Sequence, residues 1–335
     1  MASAQTQTHH KIVALETSFV PLPRKFSMPE GHTYEVAEYA RTSPSEVAER
    51  LQDADIAVMT ILPLSAEHLS AAVAPRLKMV AVVAVGTDTV DLAACRARGI
   101  HVANSPGCNE NTVAEHVVAL YFATRRSVPL VSALTRAGRW GAGPLFRTLD
   151  GPHGKPPMLC PSEVMGIIGY GAVGRRVESI AKALGMAVLI ADRKGQKEAR
   201  EGRTSFETVI KGSSVLVLCL PRSAETLNTI AEGELEDMPR YSILINVSRG
   251  GIVDERALVA ALKEKKIAGA ATDVFSTEPA TPENSPLFAP GTEDLNLVTT
   301  PHVAWCGEDT NYNYNETLKK NIRTWLEGQP TNTVV

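Results

Sequence analysis

The chain has no Cys-x-x-Cys pair, and its five cysteines, Cys95, Cys108, Cys160, Cys219 and Cys306, are an odd number scattered singly. That pattern excludes a disulfide scaffold and offers no zinc-ligand spacing, so reduced thiols are expected. A surplus of one charge is also missing. The net charge is -3 with acids and bases interspersed, a poor footprint for nucleic acid or an anionic membrane surface. No apolar run approaches the ~20 residues of a membrane helix, and stretches such as Met79–Val85 are strand-sized. The opening Met1–His10 is polar, with neither the apolar core of a secretion signal nor the arginines of a transit peptide. The ending Thr333-Val334-Val335 matches no peroxisomal or lipidation signal. A cytoplasmic location is therefore expected.

What is present is an ordinary globular mixture, 44% hydrophobic and 21% charged, which leaves no room for disorder or a fibre. At roughly 150 residues per domain, a chain of 335 residues reads as two domains. Short apolar runs alternate with amphipathic stretches throughout, the pattern of parallel sheets with crossover helices. In the first third the runs Lys11–Glu16, Thr33–Tyr39, Ile56–Ile61, Met79–Val85 and His101–Ala103 are the strand candidates. Ser43-Pro44-Ser45-Glu46 combines an N-cap serine, a first-turn proline and a capping-box glutamate, so a helix starts there.

A second helix is expected from Asn111-Thr112, with Thr112 and Glu115 as a capping box, closing on Arg125-Arg126. Val113, Val117, Leu120 and Tyr121 form one apolar face, and Val118, Ala119, Phe122 and Ala123 make the others apolar too. Burial on all sides follows, and a subunit interface is one way to reach it. Arg136 to Pro161 is rich in glycine and proline and reads as a long loop or arm. The patch Lys263-Glu264-Lys265-Lys266 reads as the solvated end of a helix.

The strongest local signal is the run from Val164 to Ile168 followed by Gly169-Tyr170-Gly171-Ala172-Val173-Gly174, an apolar strand entering G-x-G-x-x-G. An amphipathic helix follows, then a second apolar strand, Met186–Ala191, ending on Asp192. Each part suits a dinucleotide. Gly169 permits the tight turn, Gly171 lets backbone approach a pyrophosphate, and Gly174 lets helix and strand pack closely. The N–H groups of Ala172 and Val173 would receive the pyrophosphate at the positive helix end. Asp192 would accept from ribose hydroxyls and repel a 2′-phosphate, which favours NAD(H). Arg193 and Lys194 follow directly and could receive a phosphate, so NADP(H) stays open.

Three segments stand at the ends of later strands: Ile245–Gly250, Thr272–Pro279 and Thr300–Trp305. In open α/β sheets ligands gather beyond the carboxyl ends of strands, so these tips could share a cleft. Singly, Arg249, Glu278 and His302 are most simply a surface charge, a loop acid and a structural histidine. Together they suit reduction of a 2-oxo acid. Arg249 offers a fork for a carboxylate or carbonyl, His302 is an acid/base near neutrality, and Glu278 beside it would favour the imidazolium.

Over nearly its whole length the sequence resembles the D-isomer-specific 2-hydroxyacid dehydrogenases. The resemblance is carried by Val85–Asp91, Asn104-Ser105-Pro106-Gly107, Val113-Ala114-Glu115-His116, the glycine loop, Asn246–Gly250, Asp273-Val274-Phe275 with Glu278-Pro279, and Pro301-His302. It implies an α/β fold of two Rossmann-like parallel-sheet domains, one flavodoxin-like and one NAD-binding, with a cleft between them. The substrate domain would be discontinuous, residues 1–105 and 302–335. Residues 106–301 would form the cofactor domain, including a dimerisation helix and arm over 112–161. The catalytic residues implied are Arg249, Glu278 and His302, with the substrate also held by backbone at Val85, Gly86 and Thr87. Further cofactor contacts fall on Leu220, Pro221, Val247, Ser248, Asp273, His302 and Trp305. The family typically forms homodimers and needs no metal.

Two departures stand out. The family usually enters the glycine loop through a Gly-Lys-Thr-like segment, where this chain has Leu159–Met165, and the loop from Glu278 to His302 is longer than is common. Trp305 resembles the glycerate dehydrogenase/hydroxypyruvate reductase branch, although it could simply wall a nicotinamide pocket. The implied reaction is reduction of a small 2-oxo acid of glyoxylate or hydroxypyruvate type to the D-2-hydroxy acid, with His302 as proton donor. Two other readings are a formate dehydrogenase-type enzyme, which Glu278 in place of glutamine opposes, and an NAD-sensing corepressor-like binding protein.

Overall fold

A computed structural model describes residues 7–141, 149–196 and 198–335. The chain divides into two compact units, Met1–Asn109 with Cys306–Val335, and Glu110–Trp305. These boundaries fall a few residues beyond the expected 105 and 301.

The first unit is built on a five-stranded parallel sheet. Strands β1 (Thr8–Ala14) and β2 (His32–Glu38) are followed by helix α1 (Val47–Leu51), strands β3 (Ile56–Met59) and β4 (Met79–Val82), helix α2 (Leu92–Arg98) and strand β5 (His101–Ala103). The sheet order is β2-β1-β3-β4-β5. A single 3-10 turn, Pro44–Glu46, precedes α1, and Glu46 accepts from the Ser43 N–H at 2.8 Å and its hydroxyl at 2.7 Å. Val13, Leu15, Met59, Val80, Val82 and Val102 bury one sheet face against Val47 and Leu51 of α1 and Cys95 of α2. Beyond the end of β1, buried Glu16 turns its carboxylate onto the chain. Its Oε2 accepts from the N–H groups of Thr60, Ile61 and Leu62 at 3.0, 2.9 and 2.8 Å.

The second unit opens with helices α3 (Glu110–Arg125) and α4 (Val128–Arg136). It continues through β6 (Val164–Ile168), α5 (Ala172–Ala183), β7 (Ala187–Ile190), α6 (Phe206–Gly212), β8 (Val215–Leu218), α7 (Glu232–Asp237), β9 (Ile243–Asn246), α8 (Glu255–Lys263), β10 (Gly269–Thr272) and β11 (Leu297–Thr299). The six parallel strands run β11-β10-β9-β8-β6-β7. Alternation sends Met165, Ile167, Val215, Val217, Ile243 and Ile245 to one face, against Val113 and Val117 of α3 and Val177 and Ala181 of α5. Ile168, Leu216, Leu218 and Leu244 point to the other, against α6, α7 and α8. Both faces are covered, which is why these strands read as unbroken apolar runs. Helix α9 (Glu308–Leu326) returns to the first unit, burying Tyr314, Leu318 and Ile322.

Three expectations need correcting. Helix α3 begins at Glu110, so Thr112 and Glu115 lie inside it and are not its cap. It is not buried all round within this chain, because Glu115, Ala119 and Phe122 face outward, Phe122 at 40% exposure. The helical path also does not stop at Arg125-Arg126. Ser127 takes a left-handed conformation, φ 44°, and α4 follows with a proline in its first turn. Of the expected arm, the described parts include a 3-10 turn at Arg139–Gly141 and another at Cys160–Ser162, and 142–148 lies outside the described residues.

Among the described residues no single helix is long and apolar enough to cross a membrane. The pair α3–α4, bent by 56°, has that length and composition, and one side of α3 is committed to the sheet of its own unit. Among the described residues no disulfide joins the five cysteines, and no cluster of three His, Cys, Asp or Glu suited to a metal occurs.

Candidate active site

The glycine turn stands at the carboxyl end of β6. Gly169 has φ +93°, and a Cβ there would lie 2.4 Å from the Cys219 carbonyl oxygen. A Cβ on Gly174 would lie 2.3 Å from the Gly169 carbonyl, so both positions exclude side chains for reasons internal to the fold. Gly171 differs, because a Cβ there would meet nothing within 4 Å. Gly171 is also the N-cap of α5 and supplies no side-chain cap, leaving the first-turn N–H groups to an outside acceptor. Open space over an uncapped helix start fits a dinucleotide pyrophosphate. Tyr170 lies between the guanidinium groups of Arg175 and Arg203, 4.6 and 4.4 Å from its ring centroid, and its hydroxyl donates to Glu178.

Asp192, just beyond β7, is buried, yet its carboxylate is fully engaged. Oδ1 accepts from the Arg193 N–H at 2.8 Å and from Arg200 Nη2 at 2.6 Å, and Oδ2 accepts from the Arg200 N–H at 2.7 Å. The Arg200 side-chain bond, then its backbone N–H, hold this carboxyl far below the usual carboxylate range. Leu220 is half-buried and Pro221 exposed beyond β8.

The tips of β9 and β10 and the segment after β11 carry the remaining residues. Asn246 Oδ1 accepts from the Ser248 N–H at 3.0 Å and hydroxyl at 2.7 Å, which folds the turn after β9. Gly250 packs so tightly that a Cβ would lie 1.7 Å from the Phe275 carbonyl oxygen. Val247 is buried, and Arg249 Nη1 donates to the Ser248 carbonyl at 2.8 Å. Glu278 Oε2 stands 2.7 Å from His302 Nδ1, with both side chains about one third exposed (33% and 34%). Burial pushes the Glu278 carboxyl up, but His302, the Phe275 N–H at 3.0 Å and the charge of Arg249 outweigh it, leaving the carboxyl below its ordinary value.

The backbone of His302 is left-handed, φ 53°, and two neighbours hold it there. Its N–H donates to the Asp273 carbonyl at 2.8 Å, and its carbonyl accepts from the Trp305 indole at 2.9 Å. The fully buried Asp273 carboxylate accepts from the Val303 and Ala304 N–H groups, both at 2.9 Å, and from the Thr300 hydroxyl at 2.6 Å. His116 of α3 joins this network 3.0 Å from Thr300 Oγ1. Sequence reading gave Asp273 only a cofactor contact and gave His116, Thr300 and Arg200 no role. His116 lay within a quoted motif, whereas nothing in the sequence flags Arg200.

Val85, Gly86 and Thr87 belong to the other unit, on the tip after β4. Val85 is 40% exposed, and its carbonyl accepts from Asn104 Nδ2 at 2.6 Å. The three N–H groups of this tip have no acceptor among the described residues.

A nucleotide-type glycine turn, with a carboxylate–imidazole pair and an arginine at strand tips of the same sheet, defines a class: the dinucleotide-dependent dehydrogenases. Residues 118–304 match the profile of the D-isomer specific 2-hydroxyacid dehydrogenase NAD binding domain. A glycerate dehydrogenase of Methylorubrum extorquens is 40% identical over 313 residues, 93% of this chain and 94% of the relative. A glyoxylate reductase of Thermococcus litoralis is 36% identical over 78% of each chain. Among solved structures, an NADPH-dependent glyoxylate/hydroxypyruvate reductase from Sinorhizobium meliloti, in complex with NADP and malonate, superposes with TM-score 0.76 at 26% identity, covering 98% of this chain and 97% of that one. The chain belongs to the D-isomer-specific 2-hydroxyacid dehydrogenases.

Proposed function

We propose that the protein reduces a small 2-oxo acid of the glyoxylate or hydroxypyruvate type to the D-2-hydroxy acid, preferring NADH and accepting NADPH. The observation that carries this reading is the 2.7 Å pairing of His302 Nδ1 with Glu278, within reach of the Arg249 charge. The names of the relatives, a glycerate dehydrogenase and glyoxylate reductases, support the substrate class.

The glycine turn from Gly169 to Gly174 and the tips at Leu220-Pro221, Val247-Ser248 and Asp273 hold the dinucleotide. When bound, the reduced nicotinamide supplies the hydride that reaches the keto carbon. With Nδ1 bonded to Glu278, His302 has Nε2 left to give its proton to the carbonyl oxygen. Glu278 orients the ring through its bond to Nδ1. Arg249 balances the negative charge of the substrate carboxylate and polarises the carbonyl. The N–H groups of Val85, Gly86 and Thr87 donate to the substrate carboxylate. Hydride and proton together convert C=O to CH–OH, and the neutral imidazole left on His302 then takes up a proton from solvent.

The unit from Glu110 to Trp305 serves as the cofactor domain and the other as the substrate domain. A homodimer forms over the outward side of α3, α4 and the 3-10 turn at Arg139–Gly141, where Phe122, Val128 and Trp140 are exposed, Trp140 at 72%. The near-balanced charge suits a cytoplasmic enzyme whose partner is a small acid and not nucleic acid.

The test is oxidation of NADH and NADPH against glyoxylate, hydroxypyruvate, pyruvate, phenylpyruvate and 2-oxoisocaproate, with His302→Ala in parallel. Turnover of the small acids that disappears in the variant is the expected result. Tight NADH binding without turnover of any acid overturns the reading.

A further inference from the structure

Asp192 holds the position from which a carboxylate selects a ribose diol and rejects a 2′-phosphate, but here that carboxylate is not bare. Arg200 lies along it, with Nε 3.0 and 3.1 Å from the two oxygens and Nη2 2.6 Å from Oδ1. The Arg200 N–H adds a bond to Oδ2, so the loop itself, and not only a flexible side chain, carries the guanidinium to its place. The loop closes on the same residue, because the Asp192 N–H donates to the Thr204 carbonyl at 2.8 Å. Three further cations among the described residues stand at this corner. Lys194 is committed to Glu234 at 2.7 Å and to the Thr229 carbonyl, and Arg203 covers the Tyr170 ring. Arg193 is exposed, has no ion-pair partner among the described residues, and lines an open recess with Lys194, Gly195, Gln196 and Glu198.

We propose that Arg200 determines how this chain discriminates between NADH and NADPH, by neutralising Asp192 so that a 2′-phosphate can enter the Arg193 recess. Two consequences follow from the geometry. A ribose hydroxyl finds the carboxylate lone pairs already filled, which weakens the ordinary preference for the diol. A 2′-phosphate meets a compensated ion pair with Arg193 beside it, where a bare Asp192 would repel it. Arg200 is thus a positioning residue that acts through Asp192. The inference rests on the Glu110–Trp305 unit as the dinucleotide domain and does not depend on which acid is reduced.

The test is calorimetric titration of the intact protein with ADP and with adenosine 2′,5′-bisphosphate, neither of which requires an oxo acid. The native chain is expected to bind both. Arg200→Ala should weaken the 2′-phosphorylated nucleotide by about tenfold while leaving ADP within about threefold. Arg200→Lys, which keeps the charge, should recover much of the difference. In an Asp192→Asn background, where there is no charge to neutralise, Arg200→Ala should change the ratio by less than about threefold. An unchanged ratio in Arg200→Ala overturns the proposal, and so does an equally large loss in the Asp192→Asn background. If no acid is turned over but these ratios hold, the substrate reading fails and this one stands.

Discussion

The indole N–H of Trp305 donates to the carbonyl of His302 at 2.9 Å, closing a short turn over a histidine in the left-handed region, φ 53°. That conformation is uncommon for a non-glycine residue and is held only by surrounding bonds. Trp305→Phe keeps the aromatic wall but drops the bond. The expected change is a fall in kcat of about tenfold with a stability loss near 1 kcal/mol. If Trp305 were only a pocket wall, the phenylalanine variant would retain its kcat and change KM alone.

Removing the acid–base pair should act on turnover and not on cofactor binding. His302→Ala is expected to lower kcat by about 10²–10⁴, with NADH affinity by fluorescence titration little altered. Glu278→Gln should lower kcat less, because the amide still reaches Nδ1 but no longer balances the charge. Equal and full loss of NADH binding in both variants would show that the pair is structural.

The glycines of the turn should separate folding from binding. Gly174→Ala forces a Cβ to within 2.3 Å of backbone and should lower the melting temperature. Gly171→Ala meets nothing within 4 Å and should melt like the native protein, yet bind NADH at least about tenfold more weakly. A native NADH affinity in Gly171→Ala would remove the pyrophosphate from that spot.

Arg125 and Glu163 form a buried pair below the sheet, with 2.6 Å between Nε and Oε1 and side chains 5% and 0% exposed. Arg125 also donates to the carbonyls of Tyr241 and Ser214 at 2.7 and 2.9 Å. Glu163→Gln leaves a buried guanidinium without its counter-charge and should cost about 3–5 kcal/mol. Denaturant unfolding of Arg125→Met with Glu163→Leu should show a smaller loss than either single change. Additive losses would rule out a coupled pair.

Stability should also fall on mild acidification. Burial, followed by the charges of His32, Lys78 and His9 against the opposing pull of Asp55, lowers His10 below its ordinary value of 6.5. Burial alone lowers His101. The unfolded chain therefore takes up protons that the folded imidazoles resist. Stability is full above the ordinary histidine range and declines as pH drops through 6.5. Melting curves at about pH 7.5 and about 5.5 should differ less in His10→Asn with His101→Asn than in the native protein. An unaltered difference would assign the acid sensitivity elsewhere.

Strand positions in the second unit were legible because its sheet is covered on both faces, and unbroken apolar runs such as Ile243–Asn246 follow from that burial. Strand ends were less so. The runs Ile56–Ile61 and Met79–Val85 stop as strands at Met59 and Val82. Beyond β3 the Thr60 and Ile61 N–H groups turn to Glu16, and beyond β4 the Val83 N–H makes the last bond across, to the Met59 carbonyl. Helix α4 escaped because two arginines and a proline look like a terminus when Ser127 is only turning the chain. Arg249, Glu278 and His302 were picked from their segments, and the structure sets Glu278 2.7 Å from His302. The network through His116, Thr300 and Asp273 was not, because it joins α3 to strand tips far along the chain. Arg200 is an exposed loop arginine whose partnership exists only in three dimensions.

The carboxylate of Glu16, seated on three successive N–H groups after β3, has a consequence for what can bind next door. Strands β3 and β4 are neighbours, and each ends in a short run of amides. At the first tip the chain supplies its own carboxylate, so an incoming acid would have to evict a covalently tethered competitor. On the proposed reading, the tip at Val85 to Thr87 is the one left open to the acid. On that reading, one glutamate turns two similar amide turns into a single address for a small carboxylate.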